Sequence, residues 1–284
     1  MKRIHTIAKM QHQSDAWRSA GLCIGLVPTM GFLHEGHLSL VDHSLKAADR
    51  TVVSIFVNPL QFGPKEDFAI YPRDLERDLN LLSRRGVDAV FHPATAEFYP
   101  ADFSTFVEVE KLSKSLCGPF RPGHFRGVAT VVTKLFTAVK PHLAVFGQKD
   151  YQQAAVIRRL VRDLNLDLRV VVAPTVREAD GLAMSSRNIL LSPAERQRAA
   201  ALYEALTMGR KRIERGERDA GRIIAEMRAH IERALDGSID YIAIARADTL
   251  EEVAHIAGPV VIALAVRLSN VRLIDNIVAA PCGR

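Results

Sequence analysis

Two histidines three residues apart, His34 and His37 in "VPTMGFLHEGHLSLV", are the side chains of this sequence most suited to chemistry near neutral pH. Three readings compete: a metal pair, a phosphate contact, and a pair set on a loop by chance. A zinc-protease helix carries HExxH, with its histidines at i and i+4 on one face, whereas "HEGH" sets them at i and i+3 around Gly36. No Cys or His cluster at a suitable spacing completes a tetrahedral site, so zinc is disfavoured. The segment leaves an apolar run and enters a helical pattern, and the first amides of a helix lack intrahelical partners and attract anions. Imidazole N–H groups there can donate to phosphate oxygens and follow charge growing on a phosphorus centre. Gly31 and Gly36 let the backbone come close. Histidine pairs in loops are common, so these residues alone leave the phosphate and chance readings open.

The elements that must carry these groups follow from apolar periodicity. "CIGLVPTM" reads as a strand, "HLSLVDHSLKAADR" as a helix with Leu38, Val41 and Leu45 on one face, and "TVVSIFVN" as a second strand. The alternation continues through "YPRDLERDLNLLSRRG", "VDAVFHP", "GVATVVTKLFTAVK", "LAVFG", "YQQAAVIRRLVRDL" and "LRVVVAPT". Short connections between alternating strands and helices predict a Rossmann-like, doubly wound parallel sheet, which binds ligands at the carboxyl ends of its strands. After "READGLAMSSRN" the pattern changes. Ser192 and Pro193 predict a capped helix start, two charged amphipathic helices follow, and "DYIAIARA", "PVVIALAVRL" and "VRLIDNIVA" predict antiparallel strands. The expected division is a Rossmann-like ligand-binding domain over 1–176 and a smaller α+β domain over 177–284.

Composition limits the remaining classes. The 284 residues are 48% hydrophobic and 25% charged, which suits a globular chain of two domains. Apolar runs such as "PVVIALAV" fall well short of the roughly 20 residues a membrane span needs. "MKRIHTIAKMQHQSDAW" has no signal-peptide apolar centre, so a cytoplasmic protein without membrane partners is expected. Cys23, Cys117 and Cys282 lack CxxC spacing and are expected to be buried or incidental thiols. A net charge of +6 favours anionic ligands in general. A nucleic-acid partner is not expected, because the arginines are scattered along charged helix faces, without aromatic RNP-like runs or zinc-finger spacing.

"PTMGFLHEGHLSLV" resembles the HxGH element of the nucleotidyltransferase superfamily, and specifically that of the pantoate–β-alanine ligase family. "SIFVNPLQFGPKEDFAIYPRDLERDL", "RPGHFRGVATVVTKLF", "VFGQKDYQQAAVIRRLVRDLNL", "PTVREADGLAMSSRN" and "VRLIDN" are similar to the same family in the same order. One departure is Gln148, where the family usually carries Glu. The resemblance implies that pantoate carboxylate attacks the α-phosphorus of ATP, giving an enzyme-bound pantoyl adenylate and pyrophosphate. The β-alanine amine then displaces AMP. An HxGH enzyme that transfers a nucleotide to a phosphorylated acceptor is the rival; the uncharged pair Gln61 and Gln153 suits a hydroxylated carboxylate better than a phosphate dianion.

By the same resemblance, His34, His37, Lys149, Ser185, Ser186 and Arg187 are the catalytic candidates. Met30, Gly31, Gly147, Asp150, Val176 and Met184 complete the ATP contacts. Arg187 can pair with phosphate oxygens in a fork; Lys149 follows a strand and can neutralise the triphosphate. Asp150 can accept from a ribose hydroxyl, or can cap the helix beginning "YQQ". Met30 and Met184 offer apolar walls, and Val176 backbone contacts to adenine. Gln61 and Gln153 are expected at pantoate and β-alanine, with Asn58, Tyr71, Arg121 and His124 as further pocket or orienting residues. Magnesium is implied by the triphosphate, its protein ligands unassigned; Asp78 in "DLERD" is expected on a solvated helix face. A homodimer through the N-terminal domain and a C-terminal lid hinged near Gly181 are also expected.

Overall fold

The structure, a computed structural model, describes residues 1–64 and 66–281. A six-stranded parallel sheet comprises β1 (Lys2–Ile4), β2 (Ile24–Thr29), β3 (Arg50–Ile55), β4 (Ala89–Phe91), β5 (Leu143–Gly147) and β6 (Arg169–Ala173). Their spatial order is β1-β4-β3-β2-β5-β6. Because side chains alternate along a strand, Leu26, Val52 and Ala144 enter one core while Val27, Val53 and Val145 enter the other. The first core takes Met10 from α1 (Ile7–Ser19), Val128 and Val132 from α5 (His124–Val139), and Ile157 and Leu160 from α6 (Tyr151–Asp163). The second takes Leu38 and Val41 from α2 (Glu35–Ala47) and Leu79 and Leu82 from α3 (Leu75–Arg84). A short α4 (Thr95–Phe98) follows β4. The doubly wound expectation holds.

β1 and α1 were not foreseen. Three residues are too few to show alternation, and α1 buries only Met10 and Ser14, so its sequence carries little apolar rhythm.

The chain reverses its direction of winding between β2 and β5, where such sheets open a crevice. β2 pairs with β3 along all six of its residues, but with β5 only at Gly25 and Leu26. Pro28 has no N–H to offer a neighbour, and it lies past the last β5 pairing.

A second compact unit contains Lys114–Phe120, Lys149–Gln152 and the chain from Thr175 onward; the remaining segments, Met1–Ser113, Arg121–Gln148 and Gln153–Pro174, form the first. The second unit carries α7 (Pro193–Arg198), α8 (Ala201–Glu214) and α9 (Ala220–Ala234). Its antiparallel sheet is formed by β7 (Ser238–Arg246), β8 (Val260–Leu268) and β9 (Val271–Ala279). Ser192 caps α7, as its sequence predicts, and the structure adds a reciprocal box with Glu195. Leu202, Leu206, Ile223 and Met227 of the helices pack with Ile262, Leu264 and Leu273 of the sheet.

Candidate active site

The turn after β2 is built from its backbone outward. Thr29 Oγ1 donates to Ser54 O at 2.8 Å and accepts from Gly31 N at 3.2 Å. Gly31 and Phe32 then both take positive φ, +83° and +50°, a conformation disfavoured for a side chain such as Phe32. Asp78 of α3 holds it there: its carboxylate accepts from Phe32 N at 2.7 Å and Leu33 N at 2.8 Å. Asp78 is 1% exposed, so the expectation of a solvated helix face is overturned. Its position was legible: Leu75, Leu79 and Leu82 mark one face of α3, and residue 78 falls on that face. Burial pushes the Asp78 carboxyl above its ordinary value, and the two amides pull it back in part.

His34 caps α2. Its Nδ1 accepts from Gly36 N at 3.1 Å, and His37 Nδ1 accepts from His34 N at 3.4 Å. An imidazole nitrogen that accepts from an amide carries no proton, so both neutral rings are set as the Nε2–H tautomer. The rings lie 4.0 Å apart between centroids. The helix amides expected to meet phosphate are thus partly engaged in orienting two imidazole donors. Met30 and Gly31 also border a cavity of about 320 Å³ with Phe56, Phe68, Asp78 and His92 among its walls, a volume in the range small-molecule sites take.

Gln61 is buried and held from both ends. Its Oε1 accepts from Asn58 Nδ2 at 3.0 Å, and its Nε2 lies 3.2 Å from Met30 Sδ. Asn58, 1% exposed, also donates to Gly127 O and accepts from Leu60 N and the Tyr99 hydroxyl. Those bonds make it an orienting group for Gln61. The Gln61 carbonyl accepts from His124 Nδ1 at 2.8 Å and Arg121 Nη2 at 3.3 Å, while Arg121 Nη1 donates to His124 Nε2 at 3.0 Å. Glu66 closes this network on Arg121 at 2.5 and 2.7 Å. Burial works to raise the Glu66 carboxyl, but the Arg121 guanidinium, together with His124 and a hydrogen bond at Gly63, outweighs it and holds the group below its ordinary value. Tyr71 is buried with its ring edge-on to Phe62. Gln153 lies half-buried in α6.

In the second unit, Lys149 and Asp150 lie in the 3-10 turn Gln148–Asp150, two and three residues beyond Gly147 at the end of β5. Val176 to Met184 forms a tight hairpin: Met184 N donates to Val176 O at 3.0 Å and Glu178 N to Leu182 O at 2.8 Å. Gly181, expected as a hinge, occupies its turn at φ +92°, where a Cβ would run into the Tyr203 ring. Ser185 Oγ accepts from Arg187 N at 3.2 Å and so caps the 3-10 turn Ser186–Leu190; its own hydroxyl proton remains a donor. Ser186 is buried and Arg187 half-buried. Cys23 is half-buried and Cys117 buried; Cys282 lies outside the described residues.

Among the described residues no group of three or more His, Cys, Asp or Glu side chains is arranged to hold a metal ion. No described helix is long and apolar enough to cross a membrane.

A doubly wound parallel sheet whose winding reverses between β2 and β5, with two imidazoles at the start of the helix after β2, is the arrangement of an α/β enzyme of the nucleotide-using class. Comparison narrows the class: a family model described as pantoate-beta-alanine ligase matches residues 2–278, and the chain belongs to that family. A pantothenate synthetase of Thermotoga petrophila is 56% identical over 276 residues, covering 97% of this chain and 99% of that protein. One from Moorella thermoacetica is 56% identical over 278 residues, 98% of each. The crystal structure of a Thermus thermophilus pantothenate synthetase superposes with a TM-score of 0.91 at 44% identity, over 98% of this chain and 99% of that one. A Francisella tularensis pantoate-beta-alanine ligase, complexed with beta-gamma ATP and beta-alanine, gives 0.80 at 32% identity, over 98% and 97%.

Proposed function

We propose that this enzyme, which joins pantoate to β-alanine with ATP through an adenylate, uses the Nε2–H groups of His34 and His37 as its principal transition-state donors. The observation that carries this reading is that each Nδ1 faces an amide at the start of α2, which leaves Nε2 to carry the proton of the neutral ring. As pantoate oxygen attacks the α-phosphorus, negative charge grows on the phosphate oxygens and on departing pyrophosphate. Donors already aimed need no reorganisation at that moment. Lys149, Ser185, Ser186 and Arg187 supply further cationic and hydroxyl contacts to the triphosphate, with Asp150 at the ribose and Met30, Gly31, Gly147, Val176 and Met184 around the nucleotide. Gln61 and Gln153 hold pantoate without neutralising the carboxylate that must attack. The amine of β-alanine then adds to the activated acyl carbon, and AMP leaves.

Magnesium belongs to this proposal as the companion of the triphosphate; bound there it would screen the phosphate charge. The functional division into 1–176 and a lid over 177–284 belongs to it too. So does a cytoplasmic homodimer, for which light scattering at micromolar concentration should give twice the chain mass. Incubation with ATP, magnesium, pantoate and β-alanine should yield AMP and pantothenate in equal amounts. AMP formation indifferent to β-alanine would point to another acceptor. ATP with pantoate should also protect 180–188 against amide exchange; unchanged exchange while adenylate forms would make that segment a static wall.

A further inference from the structure

The segment "VRLIDN" has so far no part in the chemistry, yet two of its residues are buried polar groups inside an apolar unit. Asp275 is 2% and Asn276 3% exposed. Neighbours on a strand face opposite ways. Asp275 shares its face with Leu273 and Ile277, which pack in the core containing Leu202 and Leu206 of α8; Asn276 faces the other side.

Each grips a different segment. The Asp275 carboxylate receives a two-pronged bond from Arg177, Nη1 at 2.6 Å and Nη2 at 3.0 Å. The same guanidinium donates to Gly181 O at 3.0 Å and lies 3.9 Å from the centre of the Tyr203 ring. Arg177 stands opposite Ala183 in the hairpin that leads into Ser185–Arg187, so its bonds to Asp275 and Gly181 anchor both sides of that hairpin. On the opposite face, Asn276 Nδ2 donates to Lys149 O at 2.8 Å. The strand backbone ties the two grips together, since Asn276 N donates to Asp275 Oδ1 at 2.7 Å.

A buried ion pair often stabilises no better than an apolar pair of the same volume. Its distinctive property is direction, since a planar fork meets a carboxylate in one geometry. We propose that Asp275 and Asn276 are positioning residues for the triphosphate: consecutive side chains of β9 fix, on opposite faces of one strand, the hairpin that presents Ser185–Arg187 and the turn that presents Lys149. The spacing between these two phosphate-binding segments is then set by the thickness of one strand. This rests on the assignment of Lys149 and Ser185–Arg187 to the triphosphate.

The test is a double-mutant cycle on the full-length enzyme, read by pantoate-dependent exchange of pyrophosphate into ATP. Asn276→Ala should lower adenylation kcat/KM for ATP about fivefold, the factor one neutral hydrogen bond is worth, and leave the pantoate KM unchanged. In a Lys149→Ala background the same substitution should have almost no further effect, because the bond to the residue 149 carbonyl then positions no ammonium. An equal loss in both backgrounds, or a matching rise in pantoate KM, would overturn the proposal and leave Asn276 a packing residue. If Lys149→Ala alone leaves exchange at the wild-type rate, the assignment of Lys149 itself falls, and the proposal with it. Asp275→Asn should raise the ATP KM and speed amide exchange across 177–188 in the free enzyme; wild-type values for both would also overturn it. Should that variant fail to fold, the Asn276 cycle decides.

Discussion

Asp78→Asn isolates what a buried carboxylate does for the histidine turn. The wild-type side chain accepts two amide protons, at 2.7 and 2.8 Å. Asparagine has the same shape but one acceptor, so one of the Phe32 and Leu33 amides meets an NH2 group instead. A charge-assisted hydrogen bond contributes about 1.5 to 3 kcal/mol, and the left-handed conformation of Phe32 stores about 1 to 2 kcal/mol of its own. With that hold halved, the turn relaxes and His34 leaves its aimed position. A loss of about 2 kcal/mol from the transition state is about a thirtyfold fall in adenylation rate. The assay is pyrophosphate exchange at saturating ATP and pantoate, where ground-state affinity no longer matters.

Stability should move differently. The folded pKa of Asp78 lies above its ordinary 3.8. Its favourable linkage is complete below the unfolded value and is lost as pH rises through the folded one. Asparagine does not titrate. Wild type should therefore lose stability relative to the variant as pH rises from 3.8 through the folded value, measured as denaturant midpoints along a pH series. A wild-type exchange rate in Asp78→Asn would refute the reasoning, because it would mean the turn holds His34 without its carboxylate.

His34→Ala and His37→Ala should each cost about 3 kcal/mol in the adenylation barrier, with pantoate affinity in equilibrium binding little changed; full adenylation by the double variant would remove both from the mechanism. Gly181→Ala should destabilise the chain by about 2 to 4 kcal/mol in chemical denaturation, from backbone strain and overpacking together, because φ is +92° and the new methyl meets Tyr203. An unchanged midpoint would show that the hairpin yields freely. Glu66→Gln should raise the pantoate KM by loosening Arg121 and His124 around the Gln61 carbonyl. Because the folded Glu66 pKa lies below 4.5, its contribution is present above that value and is lost as pH falls through the folded pKa. The stability gap between wild type and variant should close in the same direction, and a gap constant down to strong acid would show that the ion pair contributes nothing.

Much of the fold was legible because its signals are local. The β-branched run at Arg50–Ile55, the short apolar run at Leu143–Gly147, the 3.6-residue rhythm of Leu38, Val41 and Leu45, and the cap at Ser192 each act within a few residues. A period of two or 3.6 also states which face is buried. β1 and α1 escaped because three residues carry no period and the helix buries almost nothing apolar.

His34 and His37 were legible as a pair because both halves of their mutual cap lie within four residues. The tautomer that makes them donors was not, since it depends on which amide each Nδ1 meets. Asp78 and Phe32 are 46 residues apart, and Arg177 and Asp275 are 98 apart. No local period relates such distances; the packing of α3 over β2 and β3 and of the hairpin against β9 decides which polar groups meet. A carboxylate on a helix face looks solvated until a neighbouring turn presents two amides to it. Composition and spacing alone thus determined the alternating elements and singled out the histidine pair. Tertiary packing decided their orientation, because a buried hydrogen bond is directional and its partner comes from elsewhere in the chain.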